Sequence, residues 1–185
     1  MTDLEKFCRL VKARSDENKK AFRLVHHSNL TGQVISLLRQ ELDSMVRIIY
    51  LLNLDELNYR NHLIKQTLNC ERWRKLENNS IITDKQMVDI ADSLNGWTQS
   101  VYKFGCAFIH LSNFHDYKNV DPFANLPEDE KDTIKQHLNH YHSFPLTENL
   151  SVDTLKWVLP MVFDKVSGNL EYYIRDLKAE KIGLI

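Results

Sequence analysis

Residues 31–54 read TGQVISLLRQELDSMVRIIYLLNL, and the spacing of their apolar side chains decides the fold. Val34, Ile35, Leu38, Leu42, Met45 and Ile49 recur at steps of three and four, the period of one helix face. Between Met45 and Leu52 the apolar residues run almost all round the helix. Such a helix has to be central, or shared between the bundle core and a second interface. Its polar residues are ordered too. Arg39, Asp43 and Arg47 stand at i, i+4 and i+8, a ladder on one face in which each neighbouring pair can form a structural salt bridge.

The same spacing extends on both sides. With 5 Gly and 4 Pro in 185 residues and few alternating apolar/polar runs, the chain is expected to be all-α, an antiparallel up-down bundle of about five to six helices in a single domain over 1–185. A first helix is expected from Leu4 to Val25, with Phe7, Leu10, Val11, Phe22 and Val25 inward. The second spans Thr31 to Leu54 and the third Asp55 to Glu77, with a break near Asn69. Thr83-Asp84-Lys85-Gln86 has the form of a capping box. It opens a long fourth helix whose stripe runs through Met87, Ile90, Leu94, Trp97, Val101, Phe104, Phe108 and Leu111 to His115. Pro127 followed by Glu128, Asp129 and Glu130 starts a fifth, short helix ending near His142. Ser151 caps the last, which is expected to reach Lys181 with a kink at Pro160 and to place Trp157, Phe163, Tyr172 and Tyr173 in the core. Lys165, Glu171 and Arg175 read as ordinary surface positions of that helix.

Charge narrows the function classes. The 24 Lys and Arg against 25 Asp and Glu leave a net charge of -1, so there is no global basic field of the kind that announces nucleic acid. Local excesses exist at 1–27, with seven basic against four acidic residues, and at 60–77, with five against two. Arg72-Trp73-Arg74-Lys75 sets an aromatic among cations, a pattern that can stack a base but reads first as a solvated helix end. Cys8, Cys70 and Cys106 are odd in number and without CxxC, which fits a reducing cytoplasm rather than a disulfide framework. Neither a signal peptide nor a membrane span is expected. His137, His140 and His142 lie at a helix end where the dipole favours them, and although His137 and His140 are one turn apart and could face a zinc or copper ion together, no third ligand from elsewhere is identifiable. No metal or cofactor is called for.

The densest chemistry stands at the end of the fourth helix, where His110, Ser112, Asn113, His115, Asp116 and Tyr117 fall within eight residues. Two imidazoles beside a phenol can carry acid–base work. If the helix continued through them, 100° per residue would put His110, Asn113 and Tyr117 on one face, with His115 about 140° from His110.

The bundle plan together with HLSNFHDY resembles the HEPN superfamily of small all-helical proteins, which often carry an Arg, four to six residues and a His, sometimes followed one residue later by Tyr. Here His115-Asp116-Tyr117 matches the His-x-Tyr end, the tetrad Leu111-Ser112-Asn113-Phe114 precedes it, and His110 stands where the family has Arg. A second register takes Lys103 as the cation and His110 as the histidine, with Phe104 in a position where a polar residue is usual. The resemblance implies a homodimer that binds or cleaves RNA without a metal, in defence or toxin systems, with an antitoxin or other protein partner possible. It implies His115 as general base, His110 as acid or phosphate ligand, Tyr117 as a positioning donor, and Lys103, Arg47 and Asn113 as substrate contacts. A non-catalytic interaction module and a small-molecule sensor are the competing readings.

Overall fold

The computed structural model describes residues 1–181 and 183, and it is all-helical. Among the described residues eight α-helices follow one another: α1 (Asp3–His27), α2 (Thr31–Leu52), α3 (Leu57–Leu68), α4 (Asp84–Asn95), α5 (Thr98–Ile109), α6 (Glu128–His142), the single turn α7 (Val152–Leu155) and α8 (Leu159–Lys178). Tight 3-10 turns at Asn113–Asp116 and Pro122–Asn125 join α5 to α6. Among the described residues the β-pairing is one isolated antiparallel bridge, Arg74 to Ile81. No described helix is long and apolar enough to cross a membrane.

The helix starts are written in the sequence. Thr2 accepts from the Glu5 backbone N–H at 3.1 Å while the Glu5 carboxylate accepts from the Thr2 N–H at 2.7 Å, a reciprocal box that satisfies two otherwise orphaned donors. The expected box at Thr83 and Gln86 is present as well and opens α4. The long fourth helix, however, is two helices. Gly96 has φ 70°, a left-handed conformation open to a residue without Cβ, and its N–H closes α4 on the Asp92 carbonyl at 2.7 Å. The apolar period runs on unbroken because α4 and α5 both pack on α2. Pro160 likewise starts a helix rather than kinking one. It occupies the first turn of α8, where a missing N–H costs nothing.

Central placement of α2 is realised: it packs on α1, α4, α5 and α8. Leu42, Met45, Val46, Ile48, Ile49, Leu51 and Leu52 are all fully buried within one chain. The surplus apolar face therefore needs no second copy to cover it. Two charged positions of α2 are buried with it. Glu41 accepts from the Ser15 hydroxyl and from Asn18 Nδ2 at 2.9 Å, both on α1, so its carboxylate enters the core with donors supplied. Arg39 pairs with Asp43, lies 3.8 Å from Asp84 and stacks its guanidinium over the Tyr102 ring at 4.2 Å. The ladder is only half closed. Arg47 turns from Asp43 to Asp84, at 3.0 Å.

Arg39 fits because α5 presents Gly105 to it. A Cβ at position 105 would stand 2.7 Å from Arg39 Cβ, 2.8 Å from its Cδ and 2.9 Å from its Cγ. The first of these atoms is fixed to the α2 backbone and cannot swing away. Gly105→Ala gains about 1 kcal/mol of helix propensity, yet overpacking a tight seam costs about 1–3 kcal/mol. With nothing within 4 Å of a Cβ at Gly168 in α8, Gly168→Ala keeps the propensity gain alone. Thermal unfolding is expected to show Gly105→Ala lowering Tm by about 3–6 °C and Gly168→Ala raising it by about 1–3 °C. Equal shifts of the same sign would contradict the seam.

Candidate functional site at the exit of α5

The polar cluster does not continue α5. The helix stops at Ile109, and His110 is extended, with φ -93° and ψ 142°. The one-face arrangement expected for His110, Asn113 and Tyr117 is therefore replaced by a compact turn. Ser112 builds it: its hydroxyl donates to the Ala107 carbonyl at 2.7 Å and accepts from the Phe114 N–H at 3.2 Å. The His115 ring folds back over that cap, with Nδ1 3.4 Å from the Ser112 nitrogen and 3.3 Å from its carbonyl oxygen. Nδ1 is thus occupied by the backbone, and Nε2 is the nitrogen left for outside chemistry. Asp116 closes the segment by accepting from Asn119 Nδ2 at 2.6 Å.

Below the turn lies an aromatic base. The Phe108 ring centroid is 5.9 Å from those of Phe114 and His115 and 5.8 Å from that of Tyr117. Phe104 extends the group toward Phe123 at 5.0 Å. Gly32 on α2 receives the edges of Phe108 and Tyr117, which would stand 3.5 Å and 3.7 Å from a Cβ there. Tyr117 is half-buried by these contacts, whereas His110, Asn113 and His115 are exposed. Leu111, between the two histidines, is 94% exposed, and Ile109 is exposed beside it.

The remaining site residues lie apart. Lys103 is exposed on α5 and reaches Glu130 of α6 at 4.0 Å, in a cleft that it shares with Asp92, Asp129 and Glu130. Acidic neighbours do not favour phosphate there. Arg47 belongs to the opposite end of α2: fifteen residues separate it from Gly32, about 22 Å along a helix axis. It lines a different cleft, of about 630 Å³, with Arg14, Arg72, Glu71 and Asp84. Burial lowers the Arg47 pKa, Asp84 opposes that shift, and Arg39 adds to it. Trp73 is not a stacking platform. It is 2% exposed, donates through Nε1 to Thr67 at 2.7 Å and carries Arg47 over its ring.

Sequence reasoning missed a second polar group, around Lys165. This residue is turned inward from α8, not out to Glu171, and Glu171 pairs with Lys19 at 2.6 Å instead. Trp157 also departs from expectation, being half-exposed and stacked on Phe144 at 5.7 Å, while Tyr172 is exposed. A lysine placed between Val162 and Val166 of the apolar stripe was the available signal. No protein-family model, curated protein or solved structure matches this chain.

Because the Ser112 hydroxyl ties the turn to the Ala107 carbonyl and the Phe114 N–H, Ser112→Ala is expected to cost about 1 kcal/mol, the usual scale for a lost cap. Denaturant unfolding measures the loss. The Phe114 amide is expected to exchange faster with solvent once its Ser112 hydroxyl acceptor is gone, while the His115 ring keeps its backbone partners at position 112, and an unchanged Phe114 exchange rate would contradict the capping role.

Proposed function

We propose that this chain is a HEPN-like, RNA-directed protein that cleaves RNA without a metal, using the turn at the exit of α5. What supports the reading is the pair of exposed imidazoles, His110 and His115, offered by a turn pinned on an aromatic base. With Nδ1 of His115 held by the backbone of Ser112, Nε2 takes the proton from a ribose 2′-OH. The 2′-oxygen attacks the adjacent phosphorus, and protonated His110 gives its proton to the departing 5′-oxygen, leaving a 2′,3′-cyclic phosphate. Asn113 offers a donor to the substrate from the same turn. Tyr117, wedged on Phe108 and Gly32, positions the turn. Arg47 stands away from the turn in a single chain, and Lys103, in a cleft that reaches Ala107 and Phe114, is turned to Glu130. A second copy meeting exposed Ile109 and Leu111 across a two-fold axis supplies the remaining groups. A role in defence or toxin systems belongs to the family resemblance.

The second reading is a protein-docking surface, favoured by the same exposed Leu111. Its partner would be an antitoxin-like protein, with no chemistry at the histidines.

Purified protein in EDTA is expected to cleave RNA, to spare all-DNA substrates and to leave 2′,3′-cyclic ends. His115→Ala and His110→Ala are each expected to slow cleavage by on the order of 10²-fold with helix content intact, since that is the usual contribution of an acid–base group. Tyr117→Phe costs less. His110→Arg keeps or raises the rate where the position grips phosphate and abolishes it where a proton donor is required. Unchanged rates in both alanine variants would hand the surface to the docking reading.

A further inference from the structure

Between α5, α6 and α8 lies a cavity of about 80 Å³ whose wall is apolar except at one edge. Leu38, Val101, Phe104, Phe123, Leu159 and Val162 form the apolar part. At the edge, Lys165 sets its Nζ 3.5 Å from the Tyr141 ring centroid and 5.6 Å from that of Trp97. Among the described residues no carboxylate stands within 4.0 Å of that ammonium, which is half-buried against the rings. His137 and His142 line the same cavity, and His137 Nδ1 is buried without a hydrogen-bond partner. No Asp or Glu contributes to the wall. The polar edge is thus wholly cationic or neutral, and its natural complement is an anion.

We propose that this cavity binds a short-chain carboxylate, with the carboxyl group paired to Lys165 and the alkyl body among the side chains of α5 and α8. Size and chemistry both select this class. One water needs about 10–15 Å³ of such space, so the cavity holds several heavy atoms and suits a carboxylate with an alkyl group of roughly three or four carbons. An ammonium held over aromatic rings gains a full ion pair from one carboxylate, and a neutral His137 with its proton on Nδ1 donates to the second oxygen. Phosphate, by contrast, would leave most of its oxygens facing an apolar wall. Burial also lowers the Lys165 pKa, and burial together with the Lys165 charge lowers that of His142. A bound carboxylate relieves both. The site shares Phe104 and Phe123 with the aromatic base under the α5 exit but makes no use of the histidines there, and it stands whether or not RNA is cleaved.

Calorimetric titration with sodium isovalerate tests the site, with acetate and 3-methylbutan-1-ol as controls that lack the alkyl body and the charge respectively. Isovalerate is expected to bind saturably with a Kd on the order of 1 mM, and both controls at least about tenfold more weakly, the effect of about 1.4 kcal/mol. Lys165→Met and Lys165→Gln, each checked for native helicity, are expected to lose at least about tenfold of the isovalerate affinity. Equal affinity for acid and alcohol, no saturable binding of isovalerate, or undiminished binding in folded Lys165 variants would overturn the proposal. The comparison of acid with alcohol on the unaltered protein decides it even where the variants fail to fold.

Discussion

The contact between Arg39 and Gly105 is the constraint on which the placement of α5 depends. A buried guanidinium is tolerable when its charge is met, and here Asp43, Asp84 and the face of Tyr102 meet it. Two of these three partners come from outside α2, on α4 and α5, so one cation ties three helices. The tie works only at close range. Because Gly105 offers no Cβ, α5 lies against the stem of Arg39, and one turn further on Phe108 comes down beside Gly32. The position of Phe108 in turn sets the aromatic base on which Phe114, His115 and Tyr117 rest.

The buried polar groups of α2 divide the work of orientation. Glu41 looks to α1 through Ser15 and Asn18, while Arg39 looks to α4 and α5. Apolar burial alone would let helices slide and rotate against an α2 that is greasy on nearly every side. Paired charges at fixed positions disfavour registers that would leave a carboxylate or guanidinium unmet in the core. The orphaned Nε of Arg39 shows that even the native register does not satisfy every donor.

Much of the fold was legible because period and capping are local properties. The central role of α2 followed from its all-round apolarity, and the start of α4 followed from Thr83 and Gln86. The break at Gly96 was hidden because Leu94, Trp97 and Val101 keep the helical period across it, and a stripe facing one common partner does not reveal a change of helix. The same masking carried the fourth helix past Ile109 and gave the histidines a wheel geometry that the Ser112 cap replaces. At Trp73 the charged flanks of the sequence outweighed the one fact that matters, its burial against Arg47 and Tyr50. Along its helix Lys165 has the spacing of a surface residue, but its orientation is set by Tyr141 and Trp97, which lie far away in sequence.

The α5 exit turn and the Lys165 cavity meet in the aromatic group of Phe104, Phe123 and Phe114, and the proposed RNA chemistry uses the turn. It is tested most directly by following the imidazole resonances of all eight histidines while the protein is titrated with a single-stranded RNA whose 2′-hydroxyls are methylated and cannot be cleaved. His110 and His115 are expected to shift together with the backbone amides of 109–117. Stationary His110 and His115 signals, with shifts confined to other faces or absent, would contradict that use of the turn.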